Sequence, residues 1–338
     1  MEKKLIYCTL FDQFYLDKGL ALYYSLKETH KDFVLWVLCL TPKCYEILEG
    51  LALDKIRLIK LIDLEKTDSK LFQAKNNRSV IEYYFTLAPV LPLFILQHNP
   101  EITSISYVDA DIYFFSDMDE IYNEIGENSI GIIENRFYKN PQALLAAGQF
   151  NVGFIFFRND PEGIKCLRWW REKCFEWCYE KVEKERFADQ KYLDKFPQIF
   201  SNVKIISHKG ANLAPWNIRN YSIKQIDGKF YVGKQKLVFF HFHCLRNIWK
   251  GLYFHNLRNF KVSSQLPIIK NIFRKYIRVI LKMEKLIPVE CHKPAHLRFR
   301  NLGARLSQKK QRLVRIFEIL KLLLKIFRRL NWFYFSPK

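Results

Sequence analysis

Two aspartates one residue apart, Asp109 and Asp111, interrupt the apolar run Ile105-Ser106-Tyr107-Val108-Asp109-Ala110-Asp111-Ile112-Tyr113-Phe114-Phe115. On an extended strand residues i and i+2 project to the same side, so both carboxylates could aim at one point. Carboxylates gathered at a buried strand end repel each other and lose hydration, and a divalent cation removes that cost. Hard oxygen ligands suit Mg²⁺ or Mn²⁺, which take one or two protein carboxylates plus the phosphates of a substrate. A solvated turn or a helix cap uses the same residue types, so the meaning of the pair rests on its context.

Other polar groups stand at the ends of apolar runs. Leu237-Val238-Phe239-Phe240-His241-Phe242-His243 closes on two histidines on one side of a strand. Such a pair serves as a structural pair or as a further ligand for a carboxylate-bound cation. Asn151 and Gly153 open the run Phe150–Phe157. Gly there permits close approach of the backbone to a ligand, and it equally marks a bulge. Asp189-Gln190 follows a helical stretch, and Asp12 and Tyr15 follow the first apolar run.

The frame that must position these groups is an α/β one. Leu5–Leu10, Phe33–Leu40, Ile56–Ile62, Ile105–Phe115, Ser129–Ile133, Phe150–Phe157, Val203–Ile206 and Leu237–His243 read as strands. Phe33–Leu40 is almost wholly apolar, as expected of a strand covered on both faces. Helical patterns fall between them at Lys18–Lys27, Pro42–Leu51, part of Ser79–Gln97 (with Pro89 and Pro92 marking turns or a break) and Gly163–Arg186. This alternation predicts a largely parallel sheet. In open sheets of that kind ligands bind at the carboxyl edge of the strands, the side on which the two aspartates fall.

Composition narrows the classes further. In 338 residues, 49% hydrophobic and 16% aromatic, there is ample material for a core, which excludes disorder throughout. The eight Cys show no paired zinc spacing, and Cys174 and Cys178, one helical turn apart, have no further ligand beside them. The chain runs from Met1 almost directly into a strand-like segment without a long apolar leader, so a reducing cytosol is expected. The net charge of +21 is concentrated at one end: residues 261–338 hold about 20 Lys and Arg against the acids Glu284, Glu290 and Glu318. This predicts two parts, residues 1–260 and residues 261–338.

Taken in order, these features resemble nucleotide-sugar-dependent glycosyltransferases of the GT-A fold. They are similar in order and spacing to glycosyltransferase family 8, the lipopolysaccharide-type galactosyl- and glucosyltransferases. The likeness covers roughly residues 5–250 and rests on the first strand with Asp12 and Tyr15, Asp109-Ala110-Asp111, Phe150-Asn151-Val152-Gly153, Asp189-Gln190 and His241-Phe242. It implies a Rossmann-like, mixed and mostly parallel sheet flanked by helices. It also implies Asp109, Asp111 and His241 as ligands of Mn²⁺ or Mg²⁺, and a UDP-sugar as donor, with Asp109 close to its diphosphate. Thr9, Asp12 and Tyr15 would hold the base. Asn151, Asp189 and Gln190 would face the donor sugar and the reacting centre, and Arg78 would contact the donor. The family's closing motif, His-Phe-x-Gly-x-x-Lys-Pro-Trp, is altered here. Cys244 stands for the Gly and Asn247 for the phosphate-gripping Lys, with Arg246 and Lys250 the nearby cations.

The basic end predicts a helical appendage. Ile268, Ile269, Ile272, Phe273, Tyr276, Ile280, Met283 and Ile287 recur at helical spacing among Lys270, Arg274, Lys275, Arg278, Lys282 and Lys285, and a second such pattern runs from Leu306 to Leu330. Its apolar runs are too short to cross a bilayer, and amphipathic helices with cationic flanks suit an anionic membrane surface. Packing on the catalytic part is the alternative. Nucleic acid is not expected, because no recognisable binding motif accompanies the charge.

The expected whole is a cytoplasmic enzyme, peripheral on the inner face of the cytoplasmic membrane. It transfers a hexose-type sugar, with retention, to a glycan or glycolipid acceptor such as lipopolysaccharide or capsule. The competing readings are a sugar nucleotidylyltransferase, disfavoured by the lack of a Gly-rich basic loop after the first strand, and a non-catalytic membrane-associated scaffold of the same fold. The altered motif after His241 is the feature that keeps the scaffold reading open.

Overall fold

The structure, a computed structural model, describes residues 4–249, 252–263 and 267–291 and the backbone strand Trp332–Tyr334. Seven strands form the main sheet: β1 (Leu5–Phe11), β2 (Phe33–Cys39), β3 (Ile56–Lys60), β4 (Ser104–Val108), β6 (Ile130–Glu134), β7 (Phe150–Arg158) and β8 (Val203–Ile206). Their order is β3-β2-β1-β4-β7-β6-β8. β1 pairs parallel with β2 and β4, β2 with β3 and β6 with β8, whereas β7 runs antiparallel to both neighbours. The sheet is therefore mixed and mostly parallel. A separate two-stranded ribbon pairs β5 (Ile112–Phe114) with β12 (Phe239–His241). Small antiparallel sheets are made by β9 (Ile223–Ile226), β10 (Lys229–Val232) and β11 (Gln235–Lys236), and by β13 (Arg246–Trp249), β14 (Leu252–Phe254) and β15 (Trp332–Tyr334).

Helices cover both faces: α1 (Leu16–Thr29), α2 (Pro42–Gly50), α3 (Leu61–Glu65), α4 (Ser69–Asn77), α5 (Val80–His98), α6 (Asp119–Ile125), α7 (Pro141–Ala147), α8 (Pro161–Glu176), α9 (Phe196–Ile199) and α10 (Pro267–Glu284). The side-chain alternation of the strands divides the core into two layers. Tyr7, Leu35 and Val37 face one layer with α1 and α10, whereas Cys8, Leu38 and Ile155 face the other with α5 and α8. Burial on both faces explains the uninterrupted apolar sequence of β2.

Three expectations are corrected. Pro89 and Pro92 do not break Val80–His98, which is one continuous helix. Each proline forfeits a backbone hydrogen bond. Packing of α5 on α8 and the sheet, together with a Ser79/Glu82 capping box, offsets that loss. That helix is long and apolar enough to cross a membrane by composition, yet Leu87, Leu91, Ile95 and Leu96 are fully or nearly fully buried in the core. The helix predicted to reach Arg186 ends at Glu176, because residues 180–186 hold only Val182 among charged side chains and offer no apolar stripe to pack. Finally, Asp109 and Asp111 do not share one strand. β4 ends at Val108, and a turn closed by the Ile112 N–H on the Asp109 carbonyl (3.1 Å) leads into β5.

The apolar stripe of the basic end is consumed by packing. Ile269, Ile272, Phe273, Tyr276, Ile277, Ile280 and Met283 of α10 lie in the same buried layer as α1, while Arg274, Lys275, Arg278, Lys282 and Lys285 stay exposed. The composition boundary at residue 260 thus falls inside one packed unit among the described residues. The second predicted helix, Leu306 to Leu330, lies outside them. Truncating Phe273, which touches Phe240 and Phe242, should cost about 3–5 kcal/mol of unfolding free energy. A denaturant titration of Phe273→Ala without membranes checks this, since a helix held only by lipid would show no such loss.

Candidate metal centre

Backbone register brings the site together. β1 and β4 run parallel with Cys8 opposite Tyr107, so their carboxyl ends, carrying Thr9 and Asp109, open on the same edge. The antiparallel β7 begins where β4 ends, and the Asp109 N–H donates to the Gly153 carbonyl at 3.0 Å. In the β5–β12 ribbon His241 lies opposite Ile112, and the Phe242 N–H donates to the Asp111 carbonyl at 2.9 Å. A residue about 130 positions downstream is thereby placed beside the turn that carries both aspartates.

His241 Nε2 lies 3.0 Å from Asp111 Oδ1 and 3.7 Å from Asp109 Oδ2. His243 joins Asp111 and His241 in a group whose ligand atoms all lie within 4.8 Å of one another. Burial opposes ionisation of Asp111, but His241 and Lys18 outweigh it and hold this carboxyl well below the usual range. Burial, with Asp111 adding to it against His241, pushes Asp109 up to about 6. The buried imidazole of His241 is raised, because Asp111 more than offsets its desolvation. Two carboxylates, one of them already ionised, and an imidazole at these distances form an oxygen and nitrogen donor set suited to Mn²⁺ or Mg²⁺.

The histidine is oriented from behind. Asn151 Oδ1 accepts from the Gly153 N–H (3.0 Å) and faces His241 Nδ1 (3.3 Å), while Asn151 Nδ2 donates to Asn135 Oδ1 and Gln190 Oε1, each at 3.1 Å. These four contacts fix which end of the amide is oxygen. The oxygen takes the Nδ1 proton of His241, which leaves Nε2 directed at the carboxylates. Gln190 is locked in turn, donating to the Ala147 carbonyl at 2.8 Å. Its amide supports Asn151 through the same network. Trp216, in the loop before the ribbon, sets its ring edge-on against both His241 and His243. Tyr107 donates to Asp109 at 3.2 Å.

The other predicted residues are distributed as follows. Asp189 is buried, and burial and then Asp109 raise its carboxyl well above the usual range; its carbonyl accepts from Trp170 Nε1 at 2.9 Å. Thr9 is fully buried, with no described partner for its hydroxyl. Asp12 caps the turn that follows β1, accepting from the Phe14 N–H at 2.9 Å. Tyr15 carries the Lys18 ammonium 3.9 Å above its ring. Arg246 lines a cavity of about 290 Å³ with Tyr15 and Lys18. Arg78 is directed elsewhere: its guanidinium donates to Thr86 Oγ1 and to the Phe175 carbonyl, fastening α4 to α5 and α8, and no described hydrogen bond joins it to the cluster. Cys244 has φ +62°, the left-handed region that favours glycine, so the backbone of the altered motif is retained although the Gly is lost.

Asn135, Trp216 and Lys18 are the groups that sequence reasoning missed. No sequence pattern gives Trp216 or Asn135 a partner, and Lys18 reads as an ordinary helical cation. Gly153 can be tested directly. A Cβ there would stand 2.6 Å from Asn151 Oδ1 and 2.7 Å from His241 Nδ1, so Gly153→Ala must displace one of them. Loss of such a supporting contact is expected to weaken Mn²⁺ binding by about 10- to 100-fold, read by titration of free Mn²⁺, with the circular dichroism of the fold unchanged.

No family model matches the chain. It is 32% identical to YfnD of Bacillus subtilis over 241 residues, covering 70% of this chain and 76% of that protein. It is 28% identical to YfnF of the same organism over 293 residues, covering 83% of this chain and 95% of that protein. Both relatives are described as uncharacterized proteins. Among solved structures, the galactosyltransferase LgtC in complex with donor and acceptor sugar analogs superposes with a TM-score of 0.52 at 12% identity, over 85% of this chain and 98% of that one. The shared architecture is the GT-A fold.

Proposed function

We propose that this chain, which belongs to the family of YfnD and has the GT-A fold, is a metal-dependent glycosyltransferase using a nucleoside-diphosphate sugar. The observation that carries the reading is the convergence of Asp109, Asp111 and His241 at the carboxyl edge of the sheet, with His241 oriented by Asn151. Those three residues would hold Mn²⁺ or Mg²⁺, which supplies Lewis-acid neutralisation of a departing diphosphate. Thr9, Asp12 and Tyr15 lie where β1 opens on the same edge and would take the base of a UDP-sugar. Asn151, Asp189 and Gln190 border the reacting centre. Asp189 offers a carboxyl beside an oxocarbenium-like anomeric carbon, while Gln190 and Asn151 keep the histidine in place. The likeness to glycosyltransferase family 8 supports a hexose-type sugar transferred with retention.

The acceptor in this reading is a surface glycan or glycolipid, of lipopolysaccharide or capsule type. The enzyme would work in the cytoplasm at the inner face of the membrane. The exposed cations of α10 and the basic residues beyond it support contact with anionic headgroups, while the apolar stripe of α10 is already committed to the core.

Calorimetric titration of UDP into the wild type, with Mn²⁺ and then with EDTA, tests the donor site without knowledge of the acceptor. Binding that needs the metal and disappears in Asp111→Asn is expected. Absence of binding by UDP, GDP and CDP alike would overturn the assignment. The cation should also bind in a pH-dependent way. Asp109, pushed up to about 6 by burial and by Asp111, must lose its proton for the site to fill, and so must His241, which Asp111 raises against its burial. Mn²⁺ affinity is therefore expected to fall by about tenfold or more for each unit below that value and to keep rising above it until His241 has also lost its proton, as checked by titrations between about pH 5 and 8.

A further inference from the structure

A cavity lies between α1, β13, β14 and α10, and of the residues around it only Tyr15 has been given a part in the donor site. It holds about 290 Å³ and is lined by Tyr15, Asp17 and Lys18 at the start of α1, Arg246 and Asn247 of β13, Tyr253 of β14 and Tyr276 of α10. Two of these side chains are cationic and one, Asp17, is acidic. Asn247, at the position where the resemblance expects a lysine, instead donates to Glu284 at 3.1 Å and adds no charge. Lys18 projects from the first turn of α1, and its described partner is the Tyr15 ring. The cavity is joined to the cluster through Phe242, which stacks on Tyr276 and whose N–H donates to the Asp111 carbonyl at 2.9 Å. Tyr276 is fully buried, stacked on Phe242 at 3.9 Å between ring centroids, and its hydroxyl has no hydrogen-bond partner among the described residues.

A half-buried cation, a second cation and an unmatched hydroxyl donor around one cavity form a receptor for an anion. The cluster of Asp109 and Asp111 next to it repels a simple anion and tolerates one that arrives bridged to a divalent cation. A nucleoside diphosphate meets both conditions. We infer that Lys18 grips the diphosphate of the donor from helix α1, with Tyr276 and Arg246 completing the cradle. Lys18 thereby takes the place of the cation missing at Asn247. This inference rests on the glycosyltransferase reading and names the group that receives its leaving phosphate. As the acceptor hydroxyl oxygen bonds to the sugar C1, the bond between C1 and the β-phosphate oxygen breaks with its electron pair staying on that oxygen, the hydroxyl proton passes to the departing diphosphate, and the Lys18 ammonium offsets the negative charge that develops there. A lysine at this point of α1 also explains why an ammonium is kept half-buried over an aromatic ring, where a solvent-facing position would cost less.

Calorimetry on the full chain with Mn²⁺ separates the outcomes. Lys18→Gln is expected to lower UDP affinity by about 10- to 100-fold, as for loss of a charge-assisted bond, with a smaller effect on UMP and with Mn²⁺ binding retained. Lys18→Arg should recover most of the loss. If Lys18→Gln binds UDP like the wild type while Asp111→Asn does not, the Lys18 assignment is wrong and the glycosyltransferase reading stands. Equal losses for UDP, UMP and Mn²⁺ would mark Lys18 as a structural residue and overturn the inference. Failure of the wild type to bind UDP, GDP or CDP would remove both.

Discussion

The structure depends on holding two carboxylates together at the end of a buried strand. Asp109 and Asp111 are close enough to resist joint ionisation, and the low-polarity surroundings amplify that resistance. The chain answers by dividing the pair. Asp111 is nearly buried and stays ionised against His241 and Lys18, whereas Asp109 is more open and keeps its proton to a higher pH. Everything that orients His241 therefore acts indirectly on both aspartates: the β5–β12 register, the Asn151 amide, the edge of Trp216 and the missing side chain at Gly153. Such a site is costly to hold together, and a divalent charge would balance it.

The chemistry of the centre was more legible than its geometry. The types and order of Asp109, Asp111, Asn151, Asp189, Gln190 and His241 were visible in the sequence, and the structure collects them along one edge. The assumption that Asp109 and Asp111 lie on one strand failed, because Ile112–Phe114 leaves the main sheet to pair with a strand about 130 residues away. No local pattern announces such a partner. Arg78 shows a different failure. Ser79 and Glu82 form a capping box that starts α5 immediately after it. That signal was available, and it places Arg78 at the junction of two helices, where Thr86 and the Phe175 carbonyl take its two terminal nitrogens. Residues such as Lys18 and Asn135 stay hidden in a sequence because their type fits a plain structural role equally well.

Periodicity was a sound guide to α10 and a poor guide to its surroundings. An amphipathic stripe shows that a helix buries one face, but not whether protein or lipid covers it. Here α1 and the β5–β12 ribbon cover it, with Phe273 against Phe240 and Phe242. The cationic face remains outside. Charge and hydrophobicity, which looked like one amphipathic signal, thus separate: the apolar stripe is committed to the core and the charges stay in solvent.

That division links the basic end of the chain to the chemistry of the edge. Phe242 follows His241 directly, and its ring is stacked on Tyr276 of α10 while its N–H holds the Asp111 carbonyl. A shift of α10 would be carried through this stack to the backbone that sets both Asp111 and His241. The same helix closes one wall of the cavity that Lys18 lines. The appended helix is therefore a structural member of the site, which gives its buried stripe a reason to be specific in shape as well as apolar.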